Sequence, residues 1–380
     1  MKKNYMFTPG PTMVPPEVLM AEAMPLIHHR TNQFSRIMVE VNQGLQKLFG
    51  TEQDVYLVMG SGTAAMEAAV ANVCSPGDTA VCAVGGKFGE RWADLCEAYG
   101  CEVVALEVEW GKSAGIEDVS AALDANAGAR ALFLTHSETS TGALTDVEAL
   151  ARLTRKTETL LVVDGISGMG ASPCPMDKWH VDVLISGAQK SFMTPPGLSY
   201  IAFSQPAWKH IERAALPRFY FDAVSAREAL KRKTSAWTPA ISLIRQQKAA
   251  LDLIRKIGLE NLIAHHRIMG EAVRTGIQAL DLELLSRRPG DVLTAVKVPA
   301  GIDGGRLVEL MHTKYRVYIA GAQAPHKGEF FRIGHLGYTG GFDIITALSA
   351  LEMTLDDLGF PVKKGASTGA AESILKEHWS

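Results

Sequence analysis

The chain has 380 residues, 47% of them apolar and 21% charged, with a formal net charge of −3. Those proportions belong to a globular protein and speak against a disordered chain. A near-zero charge also speaks against a nucleic-acid binder, which normally carries a basic excess.

At about 150 residues per domain, the length suggests two or three domains. The first eleven residues hold two lysines and then Thr8-Pro9-Gly10-Pro11, with no apolar core, so no secretory signal is expected. No apolar run approaches the roughly 18 residues of a membrane span. The five cysteines, Cys74, Cys82, Cys96, Cys101 and Cys174, form no CxxC pair. They read as free, buried thiols in a reducing compartment, and a cytoplasmic location is expected.

Between residues 50 and 205 short apolar runs alternate with amphipathic stretches. The runs at 55–59, 79–84, 103–108, 131–135, 160–163, 181–185 and 198–203 are mostly rich in Val, Ile or Leu. They predict buried strands of a mainly parallel sheet. Helices are predicted between them, at 63–73, 88–99 and 146–154. The segment 207–240 is basic and aromatic (Arg218, Phe219, Tyr220, Lys231, Arg232, Lys233, Trp237) and reads as a solvated face. A helix from Ile241 to about Gly258 connects to a smaller α/β domain. There the pattern predicts a helix at 259–280, a strand at 293–298, a helix near 305–312, and strands near 317–320 and 330–333. The small, polar tail after Pro361 is expected to be loosely held. The expected division is an N-terminal segment 1–20, a large domain 21–257 and a small domain 258–380.

Six short segments carry chemistry. In Ser186-Gly187-Ala188-Gln189-Lys190 a strand runs into a lysine, whose burial would lower its pKa and make it a nucleophile; a solvated surface lysine is the plain alternative. Asp164 ends the 160–163 run, 26 residues earlier. It reads either as a turn cap or as the carboxylate that pairs with a pyridine nitrogen. Ser61-Gly62-Thr63 opens an Ala-rich helix, either as an anion site on the helix N-terminus or as a simple N-cap. Thr139 lies in a hydroxyl-rich turn, Thr135 to Gly142. Phe88, between glycines, either stacks on a ring or packs in the core. Arg332 interrupts a small-domain strand and either pairs with an internal acid or binds a substrate carboxylate.

Together with Thr8-Pro9-Gly10-Pro11 and His28-His29-Arg30, these motifs resemble the class V aminotransferases of the fold-type I pyridoxal-phosphate enzymes. Their alanine–glyoxylate, serine–glyoxylate and serine–pyruvate branch is the most similar. The resemblance implies an α/β large domain with a mostly parallel mixed sheet, a smaller C-terminal α/β domain and a homodimer with shared active sites. It implies pyridoxal 5′-phosphate as cofactor, with Lys190 as Schiff-base lysine and Asp164 on the ring nitrogen. Phe88 would stack on the ring, where the branch often has Trp. Ser61, Gly62, Thr63, Thr139 and Gln189 would surround the cofactor. Arg332 and Gly10 would bind substrate. Thr238 would reach a partner's phosphate, although Trp237 stands where a hydroxyl is expected. The implied reaction moves an amino group from alanine or serine to glyoxylate or pyruvate. Alternatives are an aspartate, aminophosphonate or ureidoglycine transaminase, or a β-eliminating lyase. A cysteine desulfurase is disfavoured, because its thiol follows the lysine and the last cysteine here, Cys174, precedes Lys190.

Overall fold

The computed structural model describes residues 3–378. Its centre is a seven-stranded sheet: β1 (Val55–Met59), β2 (Thr79–Val84), β3 (Glu102–Glu107), β4 (Ala131–Thr135), β5 (Leu160–Asp164), β6 (Val183–Gly187) and β7 (Leu198–Phe203). The spatial order is β1-β7-β6-β5-β4-β2-β3. Strand β7 runs antiparallel to both neighbours, and the other pairings are parallel. Successive side chains of a strand point to opposite faces. Leu132, Leu134, Leu161 and Val163 therefore enter one apolar cluster, and Phe133, Leu160 and Val162 enter the cluster on the other face. Both faces are covered, which is why these runs are apolar throughout rather than alternating.

Register sets the site. Thr135 lies opposite Asp164, and Asp164 lies opposite Ile185. The chain leaving β4, β5 and β6 therefore emerges on one carboxyl rim, where open α/β sheets place ligands.

A second, antiparallel sheet holds β8 (Leu293–Lys297), β9 (Ala320–Gly321) and β10 (Phe330–Gly334) in the order β8-β10-β9. The single strand expected near 317–320 is split. Val317–Tyr318 pairs with the N-terminal Tyr5–Met6, and Ala320–Gly321 pairs with β10. Gly334 N donates to Phe7 O at 2.6 Å, and Phe7 is buried with Phe331 and Ile333. The N-terminal segment is thus sewn to the small sheet.

The segment 207–240 keeps its solvated face, with Phe219, Tyr220, Lys231, Arg232 and Lys233 exposed on or beside helices Gln205–Ile211 and Ala223–Lys231. The tail is not loosely held. It forms a helix, Ala366–Glu377, with Ser367, Ala371 and Leu375 buried. Its small residues permit close helix packing: a Cβ on Gly276 of helix Leu259–Gln278 would lie 3.0 Å from Ser367 O. The buried Glu352 carboxylate anchors the start, accepting the N–H groups of Gly365 and Ser367 and the Ser367 hydroxyl. Glu352→Ala would strand these donors and should cost about 1–3 kcal/mol in denaturant unfolding. An unchanged midpoint would mean the tail adds nothing to the core.

Candidate active site

Three residues beyond the end of β6, Lys190 turns back under the N-terminal segment. Its Nζ donates to Pro9 O at 2.6 Å. Thr12 fastens the same turn, donating its N–H to Gln189 O and its hydroxyl to Lys190 O. Gly10 has φ +142°, and a Cβ there would stand 2.3 Å from Nζ, so a side chain would displace the amine. Lys190 is buried, and burial pushes its pKa down to about 8 against the opposing pull of Asp164.

Asp164 is 3% exposed. Its Oδ1 accepts from Ile166 N at 2.7 Å, so the turn-cap reading is true as far as it goes. The same carboxyl also faces a cavity of about 210 Å³ shared with Lys190. Burial raises its pKa to about 7, partly offset by the Ile166 N–H.

The cavity brings together Ser61, Gly62, Thr63, Phe88, Thr139, Asp164, Gln189 and Lys190. Ser61 stands at the N-cap of helix Gly62–Val73 but spends no side-chain bond on capping, which leaves its hydroxyl for a ligand. Gly62 is there for close approach: a Cβ would lie 2.4 Å from Ile166 Cδ1. Phe88 sits in the first turn of helix Lys87–Ala98 and lines the cavity.

Arg332 pairs with no acid among the described residues. It donates to Thr139 O at 2.8 Å and Gly321 O at 2.6 Å, while its buried Nε has no partner. Burial lowers its pKa to about 10, with Glu138 opposing. Thr238 is exposed and does not line the cavity, so within this chain it is not brought to the site.

Two residues escaped the sequence reading. Arg91 lines the cavity, donates to Thr63 Oγ1 at 3.1 Å, and holds its guanidinium 4.9 Å from the Phe88 ring centroid. Its spacing was the available signal: it lies three residues after Phe88, hence on the same helix face. Glu138 is buried and accepts from Phe88 N, Gly89 N and Ser140 N. It supplies the acceptor for the start of the Phe88 helix and so aims that ring. Burial raises the Glu138 pKa, and the donated hydrogen bonds oppose the rise.

The family profile "Aminotransferase class-V" matches residues 4–312. The chain belongs to the class V aminotransferases. The L-aspartate–glyoxylate aminotransferase of Paracoccus denitrificans is 35% identical over 99% of this chain and 97% of that protein. A protein named soluble hydrogenase, small subunit, from a Synechococcus species is 38% identical over 98% of each chain. The solved ureidoglycine–glyoxylate aminotransferase of Bacillus subtilis superposes with a TM-score of 0.95, covering 99% of both chains at 27% identity. The fold is that of the fold-type I enzymes, and the cofactor of this aminotransferase is pyridoxal phosphate.

The residues present fit that cofactor. Gln189 Oε1 is buried without a partner among the described residues, and the Ser61 hydroxyl is uncommitted as a cap. The helix N-terminus at Gly62, with Thr63 and Arg91 beside it, suits a phosphate dianion. An Arg91→Gln enzyme should bind pyridoxal phosphate about 10- to 100-fold more weakly, the worth of one charge-assisted hydrogen bond. Its affinity for pyridoxal, which lacks the phosphate, should hardly change. Equal losses for both compounds would place Arg91 on the ring rather than on the phosphate.

Proposed function

We propose that this aminotransferase moves the amino group of a small amino acid, alanine or serine, to glyoxylate or pyruvate in a ping-pong cycle. The observation that carries the reading is the pairing of Lys190 and Asp164 in one cavity. Arg332 lies outside that lining but donates to Thr139 O at its edge and keeps a buried Nε without a partner among the described residues. Glyoxylate is supported by the names of both aminotransferases to which the chain is similar. A small donor is supported by the lining: its charged groups are Arg91, Asp164 and Lys190, and each already has a role.

When bound, the cofactor supplies a reactive carbonyl and an electron-withdrawing ring. Lys190 holds it through the amine. Displaced by the donor, Lys190 takes the proton from the donor's Cα and returns one on the far side of the transfer. Asp164 keeps a negative charge at the ring nitrogen. Arg332 orients the donor by its carboxylate, and Phe88 restrains the ring plane. Two copies of the chain are proposed to share these sites, with Thr238 of a second copy reaching the phosphate. This is supported by the exposed aromatic patch of Phe219 and Tyr220 beside Trp237. A reducing, cytoplasmic setting is proposed on the five free cysteines.

Because the uncharged amine is the nucleophile, recombination of apoenzyme with pyridoxal phosphate should speed up as pH rises through about 8, the lowered pKa of Lys190. A rate that is flat across that range would mean another group limits the attachment.

The function itself is tested by offering alanine, serine, aspartate and ureidoglycine with glyoxylate and measuring glycine. Alanine or serine should lead in kcat/KM. Preference for aspartate or ureidoglycine would overturn the donor assignment. Ammonia released from serine without an acceptor would make the enzyme a β-eliminating lyase.

A further inference from the structure

At the rim opposite the cofactor, three cysteines from two helix ends converge. Helix Lys87–Ala98 closes with Gly100 N donating to Glu97 O and Cys101 N donating to Cys96 O, both at 2.9 Å. Gly100 has φ +78°, which favours glycine. This pair of bonds is the helix-end motif that sets the side chain of the residue after the glycine against the one five positions earlier, here Cys101 against Cys96. Cys74 ends helix Gly62–Val73, and its loop is fixed to the same corner by Gly77 N donating to Gly100 O at 2.8 Å. Cys74, Cys82, Cys96 and Cys101 all belong to one buried cluster on this face of the sheet. All are free. Cys101 is 9% exposed, whereas Cys74, Cys82 and Cys96 are 0% exposed, so an oxidant from solvent meets Cys101 first.

We propose that Cys101 is a peroxide-reactive thiol that closes a reversible disulfide onto Cys96. The neighbouring Cys74 thiol, and then that of Cys96, hold the Cys101 pKa below the usual thiol range, against burial and the Asp78 charge, and so favour its thiolate. The thiolate sulfur attacks one oxygen of hydrogen peroxide. The O–O bond breaks, and hydroxide leaves as water with a proton. Cys101 is then a sulfenic acid. Cys96 sulfur attacks Cys101 sulfur, the S–S bond forms, the S–O bond breaks, and a second water leaves with the Cys96 proton. Two thiols have lost two electrons and two protons, and one peroxide has become two waters. The short spacing of the motif, held by the Cys101–Cys96 backbone bond, suits disulfide closure. The bond forms at the far end of the helix that carries Phe88 and Arg91.

The test treats the native enzyme with a low dose of hydrogen peroxide, alkylates it, and maps its peptides by mass spectrometry. Met20, 67% exposed, reports the dose that reached the surface. The expected product is a Cys96–Cys101 linkage, lighter by two hydrogens and reversed by dithiothreitol. Cys96→Ala should instead accumulate Cys101 sulfenic acid, trapped by dimedone, and Cys101→Ser should give neither product. Met20 oxidised while Cys101 stays reduced would overturn the proposal, as would a linkage that joins Cys74 rather than Cys96. The wild-type map decides the matter even if either variant fails to fold.

Discussion

Lys190→Ala should cut turnover by about 10⁴-fold or more, the upper range for loss of a positioned acid–base group. The yellow colour of the loaded enzyme should vanish with it. The size of the effect follows from geometry. Among the described residues Lys190 is the one amine lining the cavity, and its Nζ bonds only the Pro9 carbonyl. A neighbouring lysine cannot take over, because the turn is clasped by Thr12 and covered by Gly10. The fold should survive, since the substitution removes a desolvated amine rather than an apolar anchor. Retained colour together with retained turnover would remove Lys190 from the chemistry.

Asp164→Asn should lower kcat about 10²- to 10³-fold, the cost of losing one preorganised electrostatic partner. The amide keeps the acceptor for Ile166 N and nearly the same shape, so the charge alone is removed. The apoenzyme offers a second readout. The folded Asp164 carboxyl is raised to about 7, chiefly by burial. A raised carboxyl stabilises the fold below its unfolded pKa, about 3.9, and loses that contribution as pH rises through the folded value. Wild-type apoenzyme should therefore lose stability between about pH 4 and 7 relative to Asp164→Asn. Denaturant midpoints across that range measure it. Parallel curves would mean that Asp164 is ionised and solvated even without a partner.

Strand patterning made much of the architecture legible. Apolar runs of five or six residues, buried on both faces, can only be central strands, and their carboxyl ends mark the rim. Site residues that sit on those ends, Asp164 and Lys190, follow directly. Side-chain alliances do not. Arg91 looks like any surface arginine of an amphipathic helix until Thr63 and Phe88 are placed beside it. Glu138 reads as a polar turn residue until it is seen to accept three backbone N–H groups. The C-terminal helix misled for a physical reason: Ala, Ser and Gly signal either a loose tail or close helix packing. Only the Glu352 anchor and the Gly276 contact decide between the two. Helix Asn32–Phe49 was within reach of the sequence, since Phe34, Met38, Val41, Leu45 and Leu48 repeat at helical spacing and Thr31 caps its start.

The most direct test of the Lys190 assignment is to load the enzyme with pyridoxal phosphate, reduce it with borohydride, digest it and locate the modified lysine by mass spectrometry. A phosphopyridoxyl group on Lys190 alone, displaced before reduction by excess alanine or serine, is the predicted result. A label on another lysine, or none at all from a protein that still transaminates, would contradict it.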